Sequence, residues 1–305
     1  MPAYILKRVL QGALSLVGIS VITYLLIFFL PADPARMYSG PSATPETVAR
    51  IRSELGLDQP FWVQYSRYAV RGLQGDLGFS YKLQMPVTQA IMSRLPYTLV
   101  LILAAIVVEL LIGIPVGIAS AMRPQSLTDR ISMLLALFGA SAPPFWLGLT
   151  LLYYLGFKLS LFPLSGVGPA QLVLPALTAG LGGGAWYARM MRTSTVDILR
   201  TDYIRTARAK GVTEGRVIRK HLMRNALGPI VTMIGMDVPW FLGNIVLVET
   251  VFGWPGMGRL AVEAIQTVDV PLIMGTVVIT AYIVVISSIV TDISHTLLDP
   301  RVRMA

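Results

Sequence analysis

Few side chains in this sequence could do chemistry, and two of them stand where charge is expensive. Glu109 interrupts the apolar run 96–122, and Asp237 lies inside the run 226–248. A carboxylate at the centre of a membrane helix costs about 2.5–3.5 kcal/mol on insertion scales, so each acid must face a bundle interior or water. Helical spacing sets Met233, Asp237, Phe241 and Asn244 on one face. Pro239, beside the acid, frees a backbone carbonyl. Two readings stand for this face. It is the wall of a translocation path, where the charge receives a cationic group of a substrate, or a structural pair with a basic or hydroxyl group of a neighbouring subunit. Glu109 is the weaker candidate, because nearby Gly113 and Pro115 point to packing.

Other chemistry is limited by what is missing. There is no G-x-x-x-x-G-K-[ST] phosphate loop, so the chain alone is not expected to bind ATP. Neither H-E-x-x-H nor G-x-S-x-G occurs. With no Cys and only His221 and His295, thiolate or histidine-rich metal sites and a cysteine nucleophile are excluded. No catalytic residue and no metal site are expected.

The elements that position these residues are read from composition. Of 305 residues, 54% are hydrophobic and 13% charged, about half the charge of a soluble domain, with a mean hydropathy of +0.67. Six runs approach the roughly 20 apolar residues needed to cross a bilayer: 9–30, 96–122, 131–157, 172–188, 226–248 and 271–291. The fourth is short and weakened by Gly180, Gly182, Gly183 and Gly184. None alternates in polarity as a barrel strand would, so an all-α membrane protein of six transmembrane helices is expected. The net charge of +9 could suggest nucleic acid, but the basic residues lie between the apolar runs and report topology instead. Lys7, Arg8, Arg123, Arg130, ten basic residues from Arg189 to Arg224, Arg301 and Arg303 fall on one side if both termini are cytoplasmic. The short opposite loops hold only Lys158 and Arg259. Residues 1–95 form a first helix with a long external segment, and residues 96–305 a five-helix core with a cytoplasmic loop, 189–225.

In the external segment, Thr44 as N-cap, Pro45 in the first turn and Gly56 as stop outline a short helix. The segment reads equally as a contact for an external protein or as a cap on the chain's own helices. Later, Pro255-Gly256 forces a turn after Trp254, a residue suited to the membrane interface. A shallow interfacial helix and an outer gate built on Trp254, Pro255 and Gly256 are both consistent with that turn. The glycine cluster 182–184 reads as a close-packing site rather than a hinge. The cytoplasmic loop has an ordered layout. Good helix formers run from Val196 to Lys210, Gly211 stops them, and Thr213 can cap a second helix over 214–225. A basic surface touching anionic lipid accounts for the charge. A docking surface for a cytosolic partner accounts for the layout as well.

The stretch Arg205-Thr206-Ala207-Arg208-Ala209-Lys210-Gly211, followed by His221-Leu222-Met223-Arg224-Asn225-Ala226, resembles the cytoplasmic motif of ABC importer permeases in its peptide/nickel variant. The glutamate of the commoner motif is absent. Leu55-Gly56-Leu57-Asp58-Gln59-Pro60 with Gly75-Asp76-Leu77-Gly78 resembles the outer segment of the subfamily's first permease. Phe252-Gly253-Trp254-Pro255-Gly256-Met257-Gly258 resembles its last outer loop, and Asp299-Pro300-Arg301 its C-terminus. The resemblance implies a type I importer permease in the bacterial inner membrane. Its partners would be a second homologous permease, two ATP-binding subunits holding ATP and magnesium, and an external solute-binding protein. Membrane lipid surrounds it, and no nucleic acid is involved. Residues 205–211 would be the coupling helix. The subfamily handles peptides, glutathione, nickel chelates, opines and some oligosaccharides. A secondary transporter is the competing reading, but the two related halves that such a protein usually has are not found.

Overall fold

The computed structural model of the chain describes residues 2–29, 33–40, 43–54 and 56–298. Leu55 and the Asp299-Pro300-Arg301 stretch lie outside the described residues. In chain order the helices are α1 (Pro2–Phe28), α2 (Pro34–Ser39), α3 (Pro45–Glu54), α4 (Phe61–Leu73), α5 (Val87–Met122), α6 (Leu127–Ser141), α7 (Pro144–Leu151), α8 (Pro169–Leu199), α9 (Asp202–Ala209), α10 (Glu214–Arg216), α11 (Met223–Ala226), α12 (Gly228–Asn244), α13 (Val246–Val251), α14 (Met257–Gln266) and α15 (Val270–Leu298). Two stretches are π-helical, Leu152–Lys158 and Val217–Leu222. One antiparallel hairpin pairs β1 (Phe79–Ser80) with β2 (Met85–Pro86).

Among the described residues, α1, α5 and α15 are each long and apolar enough to cross a bilayer. Two bent pairs pass the same test jointly: α6 with residues 144–158, and residues 214–226 with α12. The fold therefore offers three to five candidate spans, and α8, which carries the expected fourth run, is not among them. The expected span 131–157 is not one straight helix. The chain bends there by 105°, because Pro143-Pro144 removes two backbone donors and drives Ala142 to ψ 127. The expected run 226–248 is also divided, into α12 and α13, while Pro239 stays within a continuous α12.

The chain forms two compact units. The first holds residues 1–98 and 255–289, the second residues 99–254 and 290–305. In the first, α3 starts as its sequence implies: the Thr47 amide donates to Thr44 Oγ1 at 3.3 Å, and Gly56, at φ +68, ends the helix. Asp269, almost fully buried between α14 and α15, accepts the Ser80 hydroxyl at 2.6 Å and the Lys82 amide at 3.2 Å, which ties the hairpin to that turn.

The second unit is built on a seam between α5 and α8. Every fourth residue of α5 from Ala105 to Gly117 faces α8. A Cβ at Gly180 would lie 2.6 Å from Ala105 O, and one at Gly184 only 3.4 Å from Ile112 Cβ. The glycine cluster is thus a packing site, as its composition implied. Tyr187, Met191, Leu222, Ala226 and Ile230 fill the core beside this seam.

Candidate coupling loop and intramembrane acid cluster

The loop after α8 departs from expectation in two ways. The run of helix formers from Val196 does not continue to Lys210. It breaks at Arg200 and Thr201, whose hydroxyl donates to Ile198 O at 2.6 Å, and α9 starts afresh at Asp202. Thr and Asp side chains compete with the helix for backbone groups, and here the competition ends α8. The second helix does start at Glu214, but the Thr213 side chain makes no cap bond and the helix passes through a π-helical stretch.

Gly211 is where the sequence put the stop. Its φ is +76. Its amide donates to Arg208 O at 2.9 Å and the Val212 amide to Ala207 O at 3.2 Å, the paired bonds of a Schellman end. Val212 packs on the buried cluster of Ile204, Ala207 and Val217. Of the residues singled out, Ala207 therefore faces inward and anchors α9, whereas Arg205, Thr206, Arg208, Lys210 and Gly211 are exposed. Arg208 spans the turn to Glu214, with Nη2–Oε1 2.5 Å and Nε–Oε2 3.2 Å. Asn225 Nδ2 donates to Tyr203 Oη at 3.0 Å and holds the second helix against the first. The result is a short, fixed, cationic ridge.

A second arrangement near this loop was not read from the sequence. Asp129, 4% exposed, receives a bidentate pair from Arg192, both bonds 2.7 Å, together with the Ser120 hydroxyl and the Gln125 amide at 2.8 Å. The ends of α5, α6 and α8 are joined there. The Arg192 bonds, then the Ser120 bond, hold the Asp129 carboxyl well below the usual carboxylate range. A depressed folded-state pKa contributes stability that is fully present above the unfolded value of about 4 and is lost as the pH falls from there through the lower folded value. Asp129→Asn should therefore lower stability by about 3 kcal/mol at neutral pH, the low end for a buried pair because Arg192 is partly exposed. Unfolding midpoints in detergent should differ by a constant amount at neutral pH and converge only below about pH 4. A gap that is unchanged in acid would rule out the ion pair as its source.

The intramembrane acids meet. The Tyr187 hydroxyl of α8 donates to Asp237 Oδ2 of α12, and Glu109 of α5 is hydrogen-bonded to Asp237. Glu109 is 2% exposed, and its Oε2 has no partner among the described residues. A Cβ at Gly183 would run into the Glu109 carboxyl, so the glycine makes room for the acid. The partner of Asp237 is thus a hydroxyl, as one sequence reading held, but it belongs to the same chain. Glu109, set aside as a packing residue, is a member of the cluster. The four residues of the candidate face do not share one environment. Met233 and Asp237 are half-buried, Phe241 is buried, and Asn244 is exposed with Nδ2 donating to Trp240 O.

Of the candidate gate residues, Trp254 is 3% exposed and its amide donates to Glu249 O at 2.8 Å, so it is a buried side chain and not an interfacial one. Gly256 precedes α14 in extended backbone.

Residues 113–304 match the family described as binding-protein-dependent transport system inner membrane component, and residues 1–102 match the N-terminal part of such membrane components. The chain is 40% identical over 301 residues to the glutathione transport system permease protein of Salmonella paratyphi A, covering 98% of each. It is 40% identical over 312 residues to a putative peptide transport system permease protein of Brucella abortus, covering 99% of each. Among solved structures, an inward-facing methionine ABC transporter aligns with a TM-score of 0.57 at 20% identity, over 69% of this chain and 97% of that one. An amino acid ABC transporter with histidines aligns with a TM-score of 0.53 at 17% identity, over 68% and 92%.

Proposed function

Because the chain belongs to the family of binding-protein-dependent transport system inner membrane components, we propose that it is one of two permease subunits of an ATP-driven importer that moves glutathione, a peptide or a similar small solute delivered by an external binding protein. It is a multi-pass inner-membrane protein. We read it as crossing the membrane six times, with α8 as the fourth span and both termini in the cytoplasm. The observation that carries the coupling role is the exposed ridge 205–211, with its fixed Gly211 end and its anchor at Ala207. An ATP-binding subunit would seat that ridge, and closure of the ATPase pair would push on the spans through α8 and α12. Residues 254–256 remain a candidate for the outer end of the path.

Asp237 is proposed to line the path, held in position by Tyr187 and Glu109. An asparagine there can still accept from the Tyr187 hydroxyl through its one carbonyl oxygen, so Asp237→Asn should assemble normally and isolate the effect of charge. In the experiment, the complex is purified through this chain from native membranes, and uptake and ATP hydrolysis are measured with loaded binding protein. ATP-binding subunits should copurify, the isolated chain should hydrolyse no ATP, and Asp237→Asn should lose uptake of cationic solutes selectively. Uptake by the isolated chain without nucleotide would overturn the ATP-driven reading. Unchanged uptake in Asp237→Asn would remove the charge from the path.

A further inference from the structure

Helix α4 lies in the segment whose composition reads as aqueous, yet its contacts set it at membrane depth. Tyr65 Oη is 2.8 Å from Ser20 Oγ, the Tyr24 hydroxyl donates to Gln64 Oε1 at 3.3 Å, and the Phe61 ring meets Phe28 at 5.4 Å. Ser20, Tyr24 and Phe28 belong to the apolar run 9–30, and Ser20 is roughly 15 Å along the helix from the end of that run. The face of α4 turned away from α1 is apolar and exposed: Trp62 67%, Val70 55%, Leu73 90%. Arg67 and Arg71 stand one turn apart at the border of this face, the arrangement of a helix lying in a bilayer interface.

Beside the same helix is a cavity of about 470 Å³. Arg67, Tyr68 and Arg71 line it from α4, and Val270, Pro271 and Met274 from the start of α15. Among the described residues neither guanidinium has a hydrogen bond or an ion pair. Gly56 leaves room for the Arg67 head, since a Cβ there would lie 2.6 Å from Arg67 Nη1. The Tyr68 hydroxyl is buried and has no partner among the described residues. Burial, then the nearby Tyr24 and Tyr65, push it up to about 12, so it remains a donor. Glu54 and Asp76 also line the cavity, the first in a long 3.6 Å contact with Arg50 and the second accepting the Gly78 amide at 2.9 Å. Donors for a phosphate and acceptors for an ammonium thus share one cavity, with an apolar wall and an apolar helix face next to it.

We propose that α4 is an interfacial helix and that this cavity binds the headgroup of a zwitterionic phospholipid, with phosphate on Arg67, Arg71 and the Tyr68 hydroxyl and the amine toward Glu54 and Asp76. On the topology proposed above this interface is that of the outer leaflet; the choice of ligand does not rest on that topology. The absence of cysteine makes the test clean. In the full importer complex in phosphatidylethanolamine/phosphatidylglycerol nanodiscs, a nitroxide on Val70→Cys should be relaxed by oxygen far more than by a water-soluble nickel chelate. The same label on Glu46→Cys in α3 should respond in the opposite way. Mass spectrometry of the detergent-purified complex should find retained phosphatidylethanolamine in preference to phosphatidylglycerol. Retention should fall by about tenfold in the double variant Arg67→Gln/Arg71→Gln, since charge-assisted bonds are lost. Water accessibility at Val70, equal retention by the double variant, or a preference for phosphatidylglycerol would overturn the proposal. So would binding of glycerophosphoethanolamine as tight as that of the intact lipid, because the apolar face would then contribute nothing.

Discussion

Replacing Gly117 by leucine is expected to leave no folded protein to assay. A Cβ at this position falls 2.6 Å from Ala188 O, 2.6 Å from Met191 Cβ and 3.0 Å from the Arg192 amide nitrogen. Two of those atoms are backbone of α8 and cannot turn aside, so the helices must separate. Separation would also pull Arg192 from Asp129 and Tyr187 from Asp237, since α6 and α12 are tied to α8 beside the same seam. Overpacking a well-filled core costs about 1–3 kcal/mol when side chains can adjust; here the obstruction is main chain, and the loss should exceed that range. Size-exclusion profiles in mild detergent should be aggregated for Gly117→Leu and largely normal, with a lower unfolding midpoint, for Gly117→Ala. A monodisperse leucine variant would mean that the seam opens without cost.

Gly211→Leu should have the opposite character, sparing the fold and abolishing transport. No atom lies within 4 Å of a Cβ at Gly211, so the side chain has space. The cost is the left-handed backbone, about 1–2 kcal/mol for a residue with a Cβ, and the isobutyl group then projects from the exposed ridge. Membrane levels and assembly of the variant should match the wild type, while uptake falls by at least about tenfold, the loss of a single contact worth about 1.4 kcal/mol. Gly215→Leu serves as the control, because it too has open surroundings but no positive φ. Normal uptake by Gly211→Leu in an assembled complex would remove this turn from the coupling route.

Local signals were the legible part of this sequence. The long uncharged runs became α1 and α15, Thr44 and Gly56 bounded α3, Gly211 ended α9, and the glycines of α8 packed. Each depends on composition or on residues within a turn of one another. The bend at Pro143-Pro144 obeys the same local chemistry, and counting apolar residues across it found the apolar stretch but not its break. The pairings were not legible in this way. Tyr187 and Asp237 are 50 residues apart and Arg192 and Asp129 are 63 apart, and only the register of α8 against α12 and α6 brings them together. Trp254 failed for a related reason: an aromatic ring suits an interface and a core equally, and its surroundings decide which it occupies.

The α5–α8 seam has a consequence for how the chain is made. Helix α8 carries four glycines between Gly180 and Gly184 and does not match the apolar helices that can enter lipid unaided. The surface it packs on is a face of α5, where Ala105 meets Gly180 from 75 residues earlier in the chain. With α8 as the proposed fourth span, the insertion machinery would release it sideways onto α5 already in the membrane, so biogenesis would run in order along the chain with α5 as a template for the segment that follows.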